Sequence, residues 1–232
     1  MAAQPTTHAV LLDALGTLMT FEPPAPHLRA ALRERLGVDI GEDAARAAMR
    51  AEIAFYRAHL HTGRDAASLA ELRRLAAEAM RPALPAPAAE ADGALLVEAL
   101  LGALRFRAYP DAAPALRALR ARGIRLVVLS NWDASLHERL EETGLAPLVD
   151  GAVASAVLGA AKPDPAAFAA ALALAGSEPA HAVHVGDTPD ADVEGALGAG
   201  LRAVLVARHD GAAAPPGVPV IRSLAELPAL CA

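Results

Sequence analysis

Ala9-Val10-Leu11-Leu12-Asp13-Ala14-Leu15-Gly16-Thr17-Leu18 is the stretch on which the reading of this chain turns. An apolar run stops at a carboxylate, and a glycine and a threonine follow. That pattern reads as a buried strand that ends in a tight turn and carries Asp13 at its tip. Open α/β sheets bind their ligands at the C-terminal tips of parallel strands, so Asp13 is the candidate nucleophile. Two positions on, where a second acid would serve the same tip, stands the apolar Leu15.

Working outward, the chain beyond Tyr109 alternates helix and strand. Helices are expected over Ala112 to Arg122, Ser135 to Glu142, Pro165 to Ala175 and Val193 to Ala199. Strands are expected over Leu126 to Leu129, Ala152 to Ser155 (weak), Ala182 to Val185 and Leu201 to Val206. Strands separated by single helices imply an α/β fold with a right-handed parallel sheet. Three of its strands end alike, at Asp13, at Ser130 and at Gly186-Asp187. Residues 209–219 read as a loop, and Ser223 as the cap of a last short helix.

Between the first strand and the rest lies an alanine-rich block with no convincing strand. The prolines between Glu22 and Pro26 suggest a non-helical exit. Leu28, Ala31, Leu32 and Leu36 fall at helical spacing, and Gly37 stops them. A second helix is expected from Glu42 to His61, with Ile53, Tyr56 and Leu60 on one stripe. A third, capped by Asp65 or Ser68, carries Leu69, Leu72, Leu75 and Met80. A fourth covers Ala89 to Leu104, after Pro82, Pro85 and Pro87. The expected organisation is a core of residues 1–20 and 107–232 with a helical insertion of residues 21–106.

The 232 residues carry a net charge of −6. That argues against a general nucleic-acid or anionic-membrane binder but leaves a small anionic substrate open. Cys231 is the one cysteine, so no intrachain disulfide forms and a reducing compartment, the cytoplasm, is expected. No basic stretch precedes the first apolar segment, and charge, glycine or proline breaks every apolar run before about 18 residues, short of a membrane span.

A parallel sheet brings Asp13, Ser130 and Asp187 to one edge. Lys162, the only lysine in the chain, precedes Pro163-Asp164-Pro165 and a helix start, from which it can reach the same edge. Asp13, Asp187 and Asp192 would then face a single ammonium, a costly excess of negative charge unless a cation joins them. Mg²⁺ suits a few carboxylates combined with water and a phosphate. Ser130 and Lys162 would hold phosphoryl oxygens, so that charge in the transition state is stabilised electrostatically. Asp190 reads as a solvated charge at a helix start, His184 as a satisfied core histidine, and Asp133 as either a cap or a chemical group.

Asp13 with Gly16-Thr17, Ser130-Asn131, Lys162-Pro163-Asp164-Pro165, and Gly186-Asp187 with Asp192 resemble the four ordered motifs of the haloacid dehalogenase-like hydrolase superfamily. The resemblance implies a Rossmann-like core and a covalent aspartyl intermediate, usually with Mg²⁺. It also implies that the helical insertion is a C1 cap that closes over the site and selects substrate. The metal ligands would be Asp13, the backbone carbonyl of Leu15 and Asp187, supported by Asp192, while Ala14, Leu15 and Asn131 would contact substrate. The branch most similar is the capped one with a variant first motif, that of the REG-2-like members.

Family phosphatases usually carry a second aspartate where Leu15 stands. It protonates the leaving alcohol and then activates water. Loss of such a group costs about 10²–10⁴-fold in rate. Either the substrate has a leaving group that needs no proton, or another side chain (Asp133, His184 or a histidine of the insertion) substitutes, or the protein binds without turnover. Dehalogenation needs neither acid nor metal, but the dehalogenase branch lacks the Gly-Asp-x-x-x-x-Asp pattern of residues 186–192. The expectation is therefore a Mg²⁺-dependent phosphatase for a small phosphorylated metabolite. The alternatives are a catalytically weak binding protein and a metal-independent 2-haloacid dehalogenase.

Overall fold

Ala9–Leu12 forms strand β1, and all four of its residues are buried. The structure is a computed structural model that describes residues 6–208 and 215–231. The remaining strands are β2 (Met19–Phe21), β3 (Phe106–Ala108), β4 (Arg125–Ser130), β5 (Gly151–Ala154), β6 (Ala182–Gly186), β7 (Arg202–Val206) and β8 (Val220–Ile221). Six of them make one sheet in the order β5-β4-β1-β6-β7-β8, in which every pairing is parallel. The sheet is covered on both faces, which is why β1, β4 and β6 are continuous apolar runs rather than alternating ones. With helices packed about this sheet, the α/β Rossmann-like fold read from the sequence is the fold observed.

Register fixes what meets at the edge. Leu12 lies level with Val128 on β4 and with Val185 on β6. The chain runs outward from β1 through β4 to β5, then returns to the other side of β1 as β6. Strand order reverses at β1/β6, the place where doubly wound sheets open a crevice. Asp13 and Asp187 flank that point.

The chain divides into two compact units, one of residues up to Thr20 and from Arg107 onward, the other Phe21–Phe106. In the sheet-bearing unit, Leu11, Val127, Leu129 and Leu205 pack with Phe168, Ala167 and Ala171 of the helix Pro165–Ala175. That helix begins where its sequence says it should. Asp164 accepts from the Ala166 amide, Pro165 occupies the first turn, and Gly176 closes it with a positive φ.

The helical unit contains Pro24–Leu36, Glu42–His59, Ala66–Met80 and Gly93–Ala103 around Leu28, Leu32, Met49, Met80, Leu96 and Leu100. Two expectations change here. The prolines near residue 24 open the first helix instead of excluding it, because a first turn needs no N–H from them. The buried face of Glu42–His59 is Ala45, Ala48, Met49 and Glu52, while Ile53, Tyr56 and Leu60 are half-buried. Asp65 does cap Ala66–Met80, in a reciprocal arrangement with Ser68.

Three short strands go beyond the sequence reading. β2 and β3 pair with each other, and β8 adds an edge to the sheet. β8 lies just after the loop expected at 209–219, of which residues 209–214 lie outside the described residues. Ser223 caps the last turn together with Glu226, as its position suggests. Among the described residues no helix is long and apolar enough to cross a membrane.

Candidate active site

The Asp13 amide donates to Val185 O at 2.9 Å, so the β1–β6 ladder continues to the very residue that carries the carboxylate. Its Oδ1 accepts from Ser130 Oγ at 3.0 Å and from Lys162 Nζ at 2.7 Å. Lys162 Nζ also donates to Asp192 Oδ1 at 2.6 Å. His184 Nε2 lies 2.9 Å from that same oxygen, and the Thr188 amide donates to Asp192 Oδ2 at 2.9 Å. Asp13, Lys162, Asp192 and His184 thus form one buried chain of charge and hydrogen bonds at the edge of the sheet.

Local backbone chemistry explains each placement. Asn131, the residue after β4, donates from its side-chain amide to Lys162 O and accepts from the Lys162 amide on Oδ1, at 2.9 and 2.8 Å. This two-point clasp aims the lysine at Asp13. Gly16 turns the chain with φ +89°, and a Cβ there would sit 2.1 Å from Asp187 Oδ2. A Cβ on Gly186 would sit 2.1 Å from Asp192 Cγ. Both motif glycines stand where a carboxylate lies against the backbone. Asp192 reaches back because Pro189–Glu194 is a π-helical turn, with the Asp192 amide on Thr188 O at 2.8 Å.

The electrostatics favour a cation. Carboxylate oxygens of Asp13, Asp187 and Asp192 lie within 4.8 Å of one another, and the Lys162 ammonium is bonded to two of the three, Asp13 and Asp192. Burial pushes the Asp13 carboxyl up against the pull of Lys162. Asp187 is pushed up to about 6, by burial first and then by Asp13 and Asp192. Asp192 is also buried, but its bonds to His184 and Lys162 outweigh that and hold it low. Burial pushes His184 below its ordinary value against the pull of Asp192, and Asp13 and Asp192 push Lys162 above its ordinary value despite burial. Burial and mutual repulsion disfavour the carboxylate anions of Asp13 and Asp187, and a hard divalent ion held through their oxygens would offset that cost.

The expected site residues separate into groups. Asp13, Ser130, Lys162, Asp187 and Asp192 converge. Leu15 lies next to them in sequence and is 39% exposed. Ala14, read as a substrate contact, is fully buried, and its carbonyl accepts from the Leu18 and Met19 amides and so closes the turn. Asn131, also read as a substrate contact, has its amide engaged on Lys162. Asp190 is exposed, as a solvated charge should be. Asp133 closes the turn that leads into the helix Leu136–Glu142: its Oδ1 accepts from the Ser135 amide and hydroxyl at 2.8 and 2.6 Å. Arg208, at the end of the β7 segment, is a residue that the sequence reading missed. It donates to the carbonyls of Gly16 and Thr17. An arginine just past an apolar strand is a weak signal, and its backbone partners leave no mark in the sequence.

A parallel α/β sheet thus gathers an aspartate, a hydroxyl, a lysine and an acidic pair at its switch point. The model of the haloacid dehalogenase-like hydrolase family matches residues 7–200, and the chain belongs to that family. It is 35% identical over 223 residues to phosphoserine phosphatase of Thermus thermophilus, a match covering 86% of this chain and 88% of that protein. A shorter match, 44% identical, is to haloacid dehalogenase-like hydrolase domain-containing protein 3 of Bos taurus. It covers 40% of this chain and spans little more than a third, 37%, of that relative's length. Two solved structures, each 27% identical and covering 97% of both chains, are a HAD phosphatase from Thermococcus onnurineus (TM-score 0.64) and a 2-haloacid dehalogenase from Pseudomonas syringae (TM-score 0.65).

Proposed function

We propose that this chain is a Mg²⁺-dependent phosphatase acting on a small phosphorylated metabolite through an aspartyl-phosphate formed on Asp13. One observation carries the reading: Asp13, Asp187 and Asp192 come within 4.8 Å of one another while a single ammonium, that of Lys162, bonds among them. A dehalogenase has no use for that surplus of carboxylates. The phosphatase relative that matches over most of both chains supports the same choice.

In this reading, Ser130 and Lys162 hold Oδ1 of Asp13 and so orient the carboxylate for attack on phosphorus. The P–O bond to the leaving group breaks as the Asp13 O–P bond forms, and water then cleaves the acyl phosphate. The hydroxyl and the ammonium also stabilise the anionic phosphoryl oxygens. Asp13, Asp187 and the Leu15 carbonyl would hold Mg²⁺, with Asp192 behind them, and the bound ion supplies charge neutralisation at the phosphoryl group. Asp192 keeps Lys162 in place. The helical unit Phe21–Phe106 has the cap's role of selecting substrate, and the protein works in the cytoplasm. Leu15 delivers no proton, so phosphate esters whose leaving group is already a stable anion react best.

Carbon–halogen cleavage is the second reading, favoured by Leu15 because halide leaves unprotonated. A panel of 4-nitrophenyl phosphate, alkyl phosphates and 2-haloacids, assayed with Mg²⁺ and with EDTA, separates the two. Mg²⁺-dependent phosphate release that disappears in Asp13→Asn is the expected result. Halide release in EDTA would replace the phosphatase reading. Ligand binding with no turnover would make the protein a binding member of the family.

A further inference from the structure

We infer that Arg208 is a positioning residue for the nucleophile loop and, through it, for the carboxylate cluster. The inference rests on the reading of Asp13 as nucleophile. Arg208 Nε donates to Gly16 O at 3.1 Å and Nη2 to Thr17 O at 2.6 Å. Nη1 and Nη2 grip Asp111 Oδ2 and Oδ1 at 3.0 and 3.1 Å, and the guanidinium carbon lies 3.5 Å from the centre of the Tyr109 ring. The side chain is only 11% exposed.

Asp111 is itself anchored, accepting from Ser223 Oγ at 2.7 Å and from the Leu224 amide at 2.9 Å. The guanidinium is therefore fixed from one side and holds the turn after Asp13 from the other. Planarity matters, because one fork serves two carbonyls and a carboxylate at once, which a lysine point charge cannot do.

The consequence for the site comes through Gly16. Its backbone is wedged against the Asp187 carboxylate, so closely that no Cβ fits. Whatever sets the Gly16 carbonyl therefore sets the spacing between the Asp13 turn and Asp187. Leu15, whose carbonyl is assigned to the metal, is the residue before Gly16 and moves with it. Arg208 touches none of the reacting groups and acts on them through this turn.

The test uses Arg208→Lys, Arg208→Gln and Asp111→Asn in the full chain, with 4-nitrophenyl phosphate and Mg²⁺. A displacement near 1 Å at a reacting group costs about 10²-fold. Both Arg208 variants should lose about that in kcat with KM changed less than about threefold. Asp111→Asn should lose less, in the same direction, because the arginine keeps its carbonyls. Hydrogen exchange gives a readout free of activity. The Leu18 and Met19 amides, bonded to Ala14 O within the turn, should exchange about tenfold faster while those of β1 and β4 keep their protection. A purely structural Arg208 would lower the melting temperature and leave kcat at about 20 °C unchanged, and that overturns the inference. So does turn exchange equal to wild type. If Arg208→Gln does not fold, Arg208→Lys and Asp111→Asn decide. If wild type releases no phosphate, the phosphatase reading fails, and the exchange of residues 14–19 alone decides for or against Arg208.

Discussion

Gly16→Ala tests the geometry of the site most directly. The new Cβ would lie 2.1 Å from Asp187 Oδ2 and 2.5 Å from its Cγ, where ordinary contact begins at 3.4 Å. The carboxylate must therefore recede by about 1.3 Å, or the turn must open by as much. Gly16 also has φ +89°, a region that costs an L-residue about 1–2 kcal/mol. Two effects follow. Stability drops by about that amount, a fall in Tm of a few degrees for a chain of this size. Separately, the move at Asp187 lowers kcat/KM for 4-nitrophenyl phosphate by about 10²-fold and raises the Mg²⁺ concentration needed for half-maximal rate. Gly144→Ala is the matched control. Gly144 has φ +70°, and a Cβ there would meet nothing within 4 Å, so it bears the backbone cost without the clash. Thermal unfolding followed by circular dichroism, with initial rates across a Mg²⁺ titration, separates stability from activity. If Gly16→Ala keeps its rate within about threefold of wild type, or if Gly144→Ala loses as much activity, then contact with Asp187 is not what the glycine serves.

Leu15→Asp should raise hydrolysis of alkyl phosphates by about 10-fold or more, toward the 10²–10⁴ a general acid supplies, while aryl phosphate rates move little. An alkyl rate that does not rise would mean another residue already donates the proton. Glu52 is buried in the helix Glu42–His59, and burial pushes its carboxyl up from 4.5 to about 7. Because the folded-state value lies above the unfolded one, the native state binds more protons between these limits, and stability falls as pH rises from 4.5 to 7. Denaturation of Glu52→Gln against wild type should give equal stability near pH ~4 and about 3 kcal/mol in favour of the variant near pH ~8. Parallel profiles would show that Glu52 carries no such burden. Asp192→Asn should leave Lys162 with one acid instead of two and lower kcat more than KM; an unchanged kcat would show that Lys162 needs Asp13 alone.

Much of the site is legible in one dimension because strand tips are local features. An apolar run ending in Asp13, Ser130 or Gly186-Asp187 reports a buried parallel strand and its polar tip within a few residues. The lone Lys162 before a proline-marked helix start is equally local. Other features are hidden for physical reasons. Alanine gives little contrast between faces, so the stripe through Ile53, Tyr56 and Leu60 looks more apolar than the one actually buried, which contains Glu52. β2, β3 and β8 have two or three residues each, too few for a period. Asn131 adjoins the site in sequence, but that its side-chain amide clasps the backbone of Lys162, thirty-one residues on, is visible only in three dimensions.

The order of polar residues along the chain and the periodicity between them determined the parallel sheet, its helical insertion and the identity of the residues at its edge. Those depend on short-range stereochemistry, which each segment carries by itself. Only the tertiary structure decided how one ammonium is divided between Asp13 and Asp192, why Gly16 and Gly186 must be glycines, and that Arg208 holds the turn on which the site is built. These depend on atoms far apart along the chain, and on backbone carbonyls that every residue type presents alike.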